Sequence, residues 1–232
     1  METKYIRREL SAVIEEAYRY FSVITVTGPR QSGKTTLIRN LFPHLPYYSL
    51  ENLDVRSFAE NDPVAFLNQH TEGMILDEVH NAPNLLSYIQ GMVDADADRR
   101  FILSGSSQFA MLKKVTQSLA GRTAVFELLP MSYSEIREIA ADTPLDHLLF
   151  NGFYPAIYSG RNVPKFLYPA YMKTYLDKDV RDLLQIKDMM QFHTFIRLCA
   201  GRIGSLFKAS ELANEIGISS HTVTAWLSEI GR

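Results

Sequence analysis

Two short stretches carry residues whose types and spacing can do chemistry. The first is Gly28-Pro29-Arg30-Gln31-Ser32-Gly33-Lys34-Thr35-Thr36. It fits the pattern G-x-x-x-x-G-K-[ST], in which successive backbone amides converge on phosphate oxygens at a helix start, where the helix dipole also favours an anion. Lys34 is placed to reach the outer phosphates and the Thr35 hydroxyl to bind Mg2+. The bland alternative is a glycine-rich turn before a lysine. The apolar run SVITVT ahead of the loop and the helical run through about Leu41 favour phosphate. The second stretch is Asp77-Glu78, which closes the apolar segment GMILDE. A carboxylate at the end of a buried strand can hold Mg2+ through water, and its neighbour can orient and deprotonate an attacking water. Alone, the pair would read as exposed acids, but a phosphate loop upstream changes that reading.

Two further positions are weaker candidates. Ser104-Gly105-Ser106-Ser107 follows the apolar run RFIL, where open α/β sheets bind ligand at their strand ends. Ser106 is the candidate there for sensing the γ-phosphate or positioning water, with helix capping as the alternative. Arg122 follows Gly121, between a helix and the last strand. It is a candidate for stabilising transition-state charge on a neighbouring subunit's nucleotide, an effect of ~10³–10⁵ in rate where it operates. The alternative is a cation complementing a helix C-terminus. Tyr47, Tyr48 and His80 read as structural.

These residues need a scaffold. The spacing of Ile6, Leu10, Val13, Ile14 and Ala17 predicts a helix over 5–20. Strands are predicted at 22–27, 47–50, 73–77, RFILSG and TAVFELL, with helices between them, one of them over 108–119. Asp62-Pro63 marks a helix start and Gly121 a helix end. Apolar strands alternating with helices imply a parallel sheet covered on both faces. The separation of the two motifs leaves room for a strand–helix unit between them, as in ATPases that carry an extra strand between the phosphate strand and the acidic strand. From Pro130 the pattern turns mostly helical, with Ser132 and Glu135 spaced as a capping box and NGFYPAIYSG as an interhelical loop. The expected division is an α/β domain over 1–130, a helical region over 131–200 and a helix-turn-helix over 201–232.

In that last segment Ala213 lets two helices approach, Gly217 turns the chain, and Ile216, Ile218, Val223 and Leu227 supply the shared core. Arg202, Lys208 and Arg232 stand against Glu211, Glu215 and Glu229, so the charges cancel. Phosphate neutralisation supplies most non-specific DNA affinity, so protein docking is the favoured use of this segment and DNA the weaker one. Over all 232 residues the net charge is −2, which gives no global basic field. With Cys199 the only cysteine, no internal disulfide forms and a reducing, cytoplasmic setting is the default. The charged start METKYIRREL does not read as a secretory signal, and no run is long and apolar enough for a membrane helix.

Together, TGPRQSGKTTLI, ILDEVHNAPNLL, RFILSGSS, SLAGRTAVFELLPMS, NGFYPA, YLDKDVRDLLQI and SELANEIGISSHTVTAWLSEI resemble a prokaryotic family of AAA+-type P-loop ATPases. Its N-terminal ATPase domain is joined to a C-terminal region that opens with a winged-helix-like segment. The resemblance implies a P-loop NTPase fold, ATP (and ADP) with Mg2+ as ligands, and roles for Ser106 and Arg122 as above. It implies ATP over GTP, since the phosphate loop does not read the base, and by analogy gives 5–7 a part in the adenine pocket. It also implies chain beyond the helix-turn-helix, whereas this sequence stops at Arg232. A Mg2+-dependent ATPase is the expected function, with a slow-turnover nucleotide-dependent switch or a DNA-binding regulator as the alternative, and a homo-oligomer is the setting in which Arg122 would act. A small-molecule kinase is disfavoured by Glu78, which suits water activation, and a DNA-binding regulator by the uncharged tail.

Overall fold

A computed structural model describes residues 5–105, 115, 117–174, 186 and 188–230. The chain divides into two compact units, residues 1–164 and 165–232. In the first, five strands form one parallel sheet: β1 (Val23–Thr27), β2 (Tyr47–Ser49), β3 (Gly73–Asp77), β4 (Arg100–Ser104) and β5 (Thr123–Glu127), in the order β2-β3-β4-β1-β5. The strand–helix unit between the two motifs in the chain is β2 with the helices after it, and β2 lies at the sheet edge. The strand that lies in space between the phosphate strand β1 and the acidic strand β3 is β4, which follows both motifs in sequence. Every residue of β1 and β3 is buried, as strands covered on both faces must be.

Helices cover the two faces. On one side α1 (Leu10–Ala17) and α2 (Lys34–Leu41) pack Ile14, Leu37 and Ile38 against Ile24, Val26, Ile75 and Ile102. On the other, α3 (Leu53–Asn61), α4 (Pro63–Leu67) and α5 (Leu85–Ala95) bring Ala59, Phe66, Leu67, Leu86 and Ile89 against Val23, Met74, Leu76, Phe101 and Leu103. Alternate residues of each strand thus serve opposite layers. The Asp62 side chain accepts from the Ala65 amide at 3.0 Å, the cap expected ahead of Pro63. Helix α1 is shorter than predicted: residues 5–9 and 18–20 lie outside it.

After β5 the Ser132–Glu135 capping box forms as expected and starts α6 (Tyr133–Arg137). Next come α7 (Leu145–Asn151) and α8 (Pro155–Tyr158), the latter within the segment expected to be loop. Pro155 fixes the backbone angle of a first helical position, which the loop reading overlooked. Helix α9 (Pro164–Tyr171) spans the division between the units. In the second unit α10 (Met189–Ala200), α11 (Ala209–Ile216) and α12 (Ser220–Ile230) surround Phe192, Phe195 and Trp226, with Leu212, Ala213, Ile216 and Val223 completing the core. Gly217, at φ +78°, turns the chain between α11 and α12. The helix predicted over 108–119 falls mostly outside the described residues. Among the described residues no helix is long and apolar enough to cross a membrane.

Gly28 has no tolerance for a side chain. It sits at φ +142°, and a Cβ there would come within 2.2 Å of the Leu128 carbonyl oxygen. The backbone passes this close because the Leu128 amide donates to the Thr27 carbonyl at 2.8 Å, extending the β1–β5 ladder past its last residue. Gly28→Ala should cost at least ~2 kcal/mol through backbone strain and overpacking. Thermal denaturation should show it as a melting temperature lower by about 4–8 °C.

Candidate functional site

The parallel register brings the two motifs together. Val26 of β1 is level with Ser104 of β4, and Leu76 of β3 with Leu103. The loop after β1, Ser104 and Asp77 thus emerge at the same C-terminal sheet edge, where open α/β sheets bind ligand.

Between β1 and α2 the loop uses three residues with positive φ, Gly28 at +142°, Gln31 at +64° and Gly33 at +97°, the last capping α2. Pro29, Arg30, Gln31 and Ser32 complete the turn, and the Ser32 amide donates to the Pro29 carbonyl at 3.3 Å. Lys34 is buried at the first position of α2, and its Nζ donates to the carbonyls of Gly28 (2.9 Å) and Pro29 (3.0 Å). Burial pulls its pKa below the ordinary lysine value, while Glu78 and Asp77 work in the opposite direction. A desolvated ammonium held by carbonyls at a helix start is well matched to an incoming phosphate. Beside it, Thr35, Thr36, Arg39 and Asn40 line an open hollow of about 300 Å³.

Asp77 is the centre of the site. Its Oδ2 accepts from Thr35 Oγ1 and from the Tyr47 hydroxyl, both at 2.7 Å. Its Oδ1 accepts from Ser104 Oγ and from the Glu78 amide, the latter at 3.1 Å. The loop hydroxyl and the strand carboxylate thus meet across the width of β4. Mg2+ is commonly held by one or two carboxylates, phosphate oxygens and water, without a cage of protein ligands. Thr35 and Asp77 fit that chemistry: a hydroxyl and a carboxylate oxygen already share one position at the phosphate end of the loop. Among the described residues no cluster of three or more His, Cys, Asp or Glu forms a separate metal cage.

Glu78 follows at φ +55°, a strained conformation for a residue with a side chain. Its Oε2 stands 3.1 Å from His80 Nδ1 in the turn after β3. Burial raises the Glu78 pKa, but contact with His80 and the charges of Lys34 and Arg30 outweigh it, so the carboxyl lies below its ordinary value. An ionised carboxylate beside Lys34 is what a proton acceptor at this site requires.

Sequence reasoning missed three contributors. Tyr47, read as structural, donates to Asp77, and burial together with that bond pushes its pKa up. Arg39 stacks over its ring at 4.8 Å. His80 faces Glu78. Arg8, on no motif, is buried against the loop. The signal in the sequence for Tyr47 is its position at the start of a short strand beside β3. Ser104 is the serine the structure brings to Asp77, whereas Ser106 lies outside the described residues.

Arg122 is not brought to this site within one chain. It precedes β5, at the opposite end of the sheet from the loop, and its carbonyl accepts from the Val23 amide at the start of β1. Its guanidinium grips Asp94 with Nε to Oδ1 at 2.5 Å and a second nitrogen to Oδ2 at 2.8 Å, and also donates to the Ala120 carbonyl at 2.9 Å. That last bond is the carbonyl-capping alternative weighed for this residue.

Comparison with known proteins agrees with this architecture. Residues 20–137 match the family described as AAA domain, and residues 142–230 match a domain of unknown function. The proteins Rv2008c of Mycobacterium tuberculosis and Mb2031c of Mycobacterium bovis are each 29% identical in an alignment that covers 97% of this chain and 51% of theirs. The chain therefore spans about half the length of these relatives. The Walker-type ATPase PABY2304 of Pyrococcus abyssi shares the fold at a TM-score of 0.59 and 14% identity, over 98% of this chain and 89% of that one. The strand order that sets β4 between the loop and Asp77 spans the matched residues, and the chain belongs to the AAA domain family.

Proposed function

We propose that this chain binds MgATP and hydrolyses it to ADP and phosphate. The observation that carries the reading is the direct bond from Thr35 of the phosphate loop to Asp77, with Glu78 the next residue. The backbone N–H groups of the loop over 28–36, of which Pro29 has none, receive the phosphates, and Lys34 moves from the carbonyls of Gly28 and Pro29 to the outer phosphate oxygens. Thr35 and Asp77 would hold Mg2+, and the ion would supply neutralisation of charge on the phosphates. Glu78 accepts a proton from water as the water oxygen bonds to the γ-phosphorus. The bond from that phosphorus to the bridging oxygen breaks, and ADP takes the electron pair. Ser104 keeps Asp77 oriented from β4, and Ser106 is the candidate sensor two residues further on. Arg122 enters this reading only in trans, within a homo-oligomer and after release from Asp94. The C-terminal helices over 189–230 receive the nucleotide state and present it to a protein partner, since their charge balance gives DNA little to hold.

Phosphate release from ATP tests the proposal. It should saturate with ATP and fall by more than about tenfold when a chelator removes Mg2+, since the metal contributes several kcal/mol to transition-state stabilisation. Undiminished release in the chelator would remove Thr35 and Asp77 from the metal-binding role.

A further inference from the structure

We infer that Arg8 is a positioning residue for the phosphate loop: its guanidinium fixes the orientation of the Ser32–Gly33 peptide, and so aims the Gly33 amide at phosphate. The inference rests on the phosphate-binding reading above and adds a residue that belongs to neither motif.

Arg8 is only 7% exposed, ahead of α1. Its Nε donates to both Glu135 carboxylate oxygens at 3.0 Å, one terminal nitrogen to the Ser32 carbonyl at 2.9 Å, and the other to the carbonyls of Leu129 (2.7 Å) and Pro130 (3.2 Å). One planar fork thus ties together the phosphate loop, the chain leaving β5 and the start of α6. Lysine could not do this, having a single ammonium in place of a rigid array of donors. Glu135 is itself held, since its carboxylate also accepts from the amides of Glu9 (2.7 Å) and Ser132 (2.8 Å). The clamp is therefore anchored outside the loop it holds.

The need for it lies in Gly33. This residue sits at φ +97°, in a region that glycine enters and leaves at little cost. Without an anchor the Ser32–Gly33 peptide could rotate and turn its N–H away from the anion. The peptide is planar and trans, so its carbonyl and N–H point in opposite directions. Holding the Ser32 carbonyl toward Arg8 sends the Gly33 N–H the other way, away from Arg8. The same engagement accounts for α1 starting late: a helix over 5–8 would carry Arg8 away from these partners.

Two variants test the inference. Arg8→Lys keeps a cation beside Glu135 and removes the fork. The pair Arg8→Met with Glu135→Gln removes both charges, so no buried charge is left without a partner. Amide hydrogen exchange of the peptide spanning 28–35 is read without ligand, and inorganic tripolyphosphate binding is read by calorimetry. In a variant whose circular dichroism matches wild type, exchange of this peptide should rise at least about tenfold and tripolyphosphate should bind at least about tenfold more weakly, a loss near 1.4 kcal/mol. Wild-type exchange and affinity in either folded variant would overturn the inference. If wild type binds neither tripolyphosphate nor ATP, the proposed function fails, while loop exchange still decides the role of Arg8.

Discussion

Lys34→Ala should weaken ATP binding by about two orders of magnitude. The ammonium is the buried cation of the loop, and its hydrogen-bond partners are the carbonyls of Gly28 and Pro29. A hydrogen bond to a charged group is worth ~1.5–3 kcal/mol, and the upper end corresponds to more than a hundredfold in affinity. The upper end applies because a desolvated lysine pays little to lose water when phosphate arrives. Stability moves much less. The substitution leaves two carbonyls without this donor but also removes a charge whose burial is unfavourable, and the two effects oppose one another. Fluorescence titration with a labelled ATP, set beside a thermal melt, separates them. Near-wild-type affinity in Lys34→Ala would mean that the loop holds its ligand by backbone amides alone.

Glu78→Gln should leave ATP affinity within about threefold and cut steady-state turnover by about 10²–10⁴, the usual contribution of a positioned general base. Glutamine matches glutamate in shape, so the left-handed backbone at this position and the contact with His80 can persist. It cannot take a proton from water. The affinity prediction follows because the phosphates are received by Lys34 and the loop N–H groups, while Asp77 keeps its bonds from Thr35, Tyr47 and Ser104. A loss of binding equal to the loss of turnover would instead assign Glu78 to ligand binding.

The parts of this site that were legible in the sequence are local ones. The phosphate loop, the acidic pair, the capping box and the turn glycines are written within a few residues, because each is set by backbone geometry. The parts that were not legible depend on register and long-range closure. Tyr47 reaches Asp77 only because β2 pairs with β3 so that Ser49 is level with Asp77. Ser104 reaches it only because β4 lies between β1 and β3. Arg8 meets partners 24, 121, 122 and 127 residues away, which no spacing rule could join. The apolar periodicity around Arg8 is helical, and the clamp overrides it. Arg122 was legible as a cation after a helix, but its place at the far end of the sheet follows from the direction of β5. For the second unit, the small residue, the glycine and Ile216 and Val223 located the packing of α11 and α12, but Leu227, expected in the core, is exposed and its neighbour Trp226 is buried instead, while the charges along these helices carry little information about a partner.

The central claim is that the loop and Asp77-Glu78 form one hydrolytic site with separable binding and proton-accepting parts. The most direct measurement is to incubate Glu78→Gln protein with Mg2+ and radiolabelled ATP, isolate the protein by rapid gel filtration, and identify the nucleotide it carries. The account predicts intact ATP retained in stoichiometric amount, where wild type carries ADP. Recovery of ADP from Glu78→Gln at the wild-type rate would contradict it.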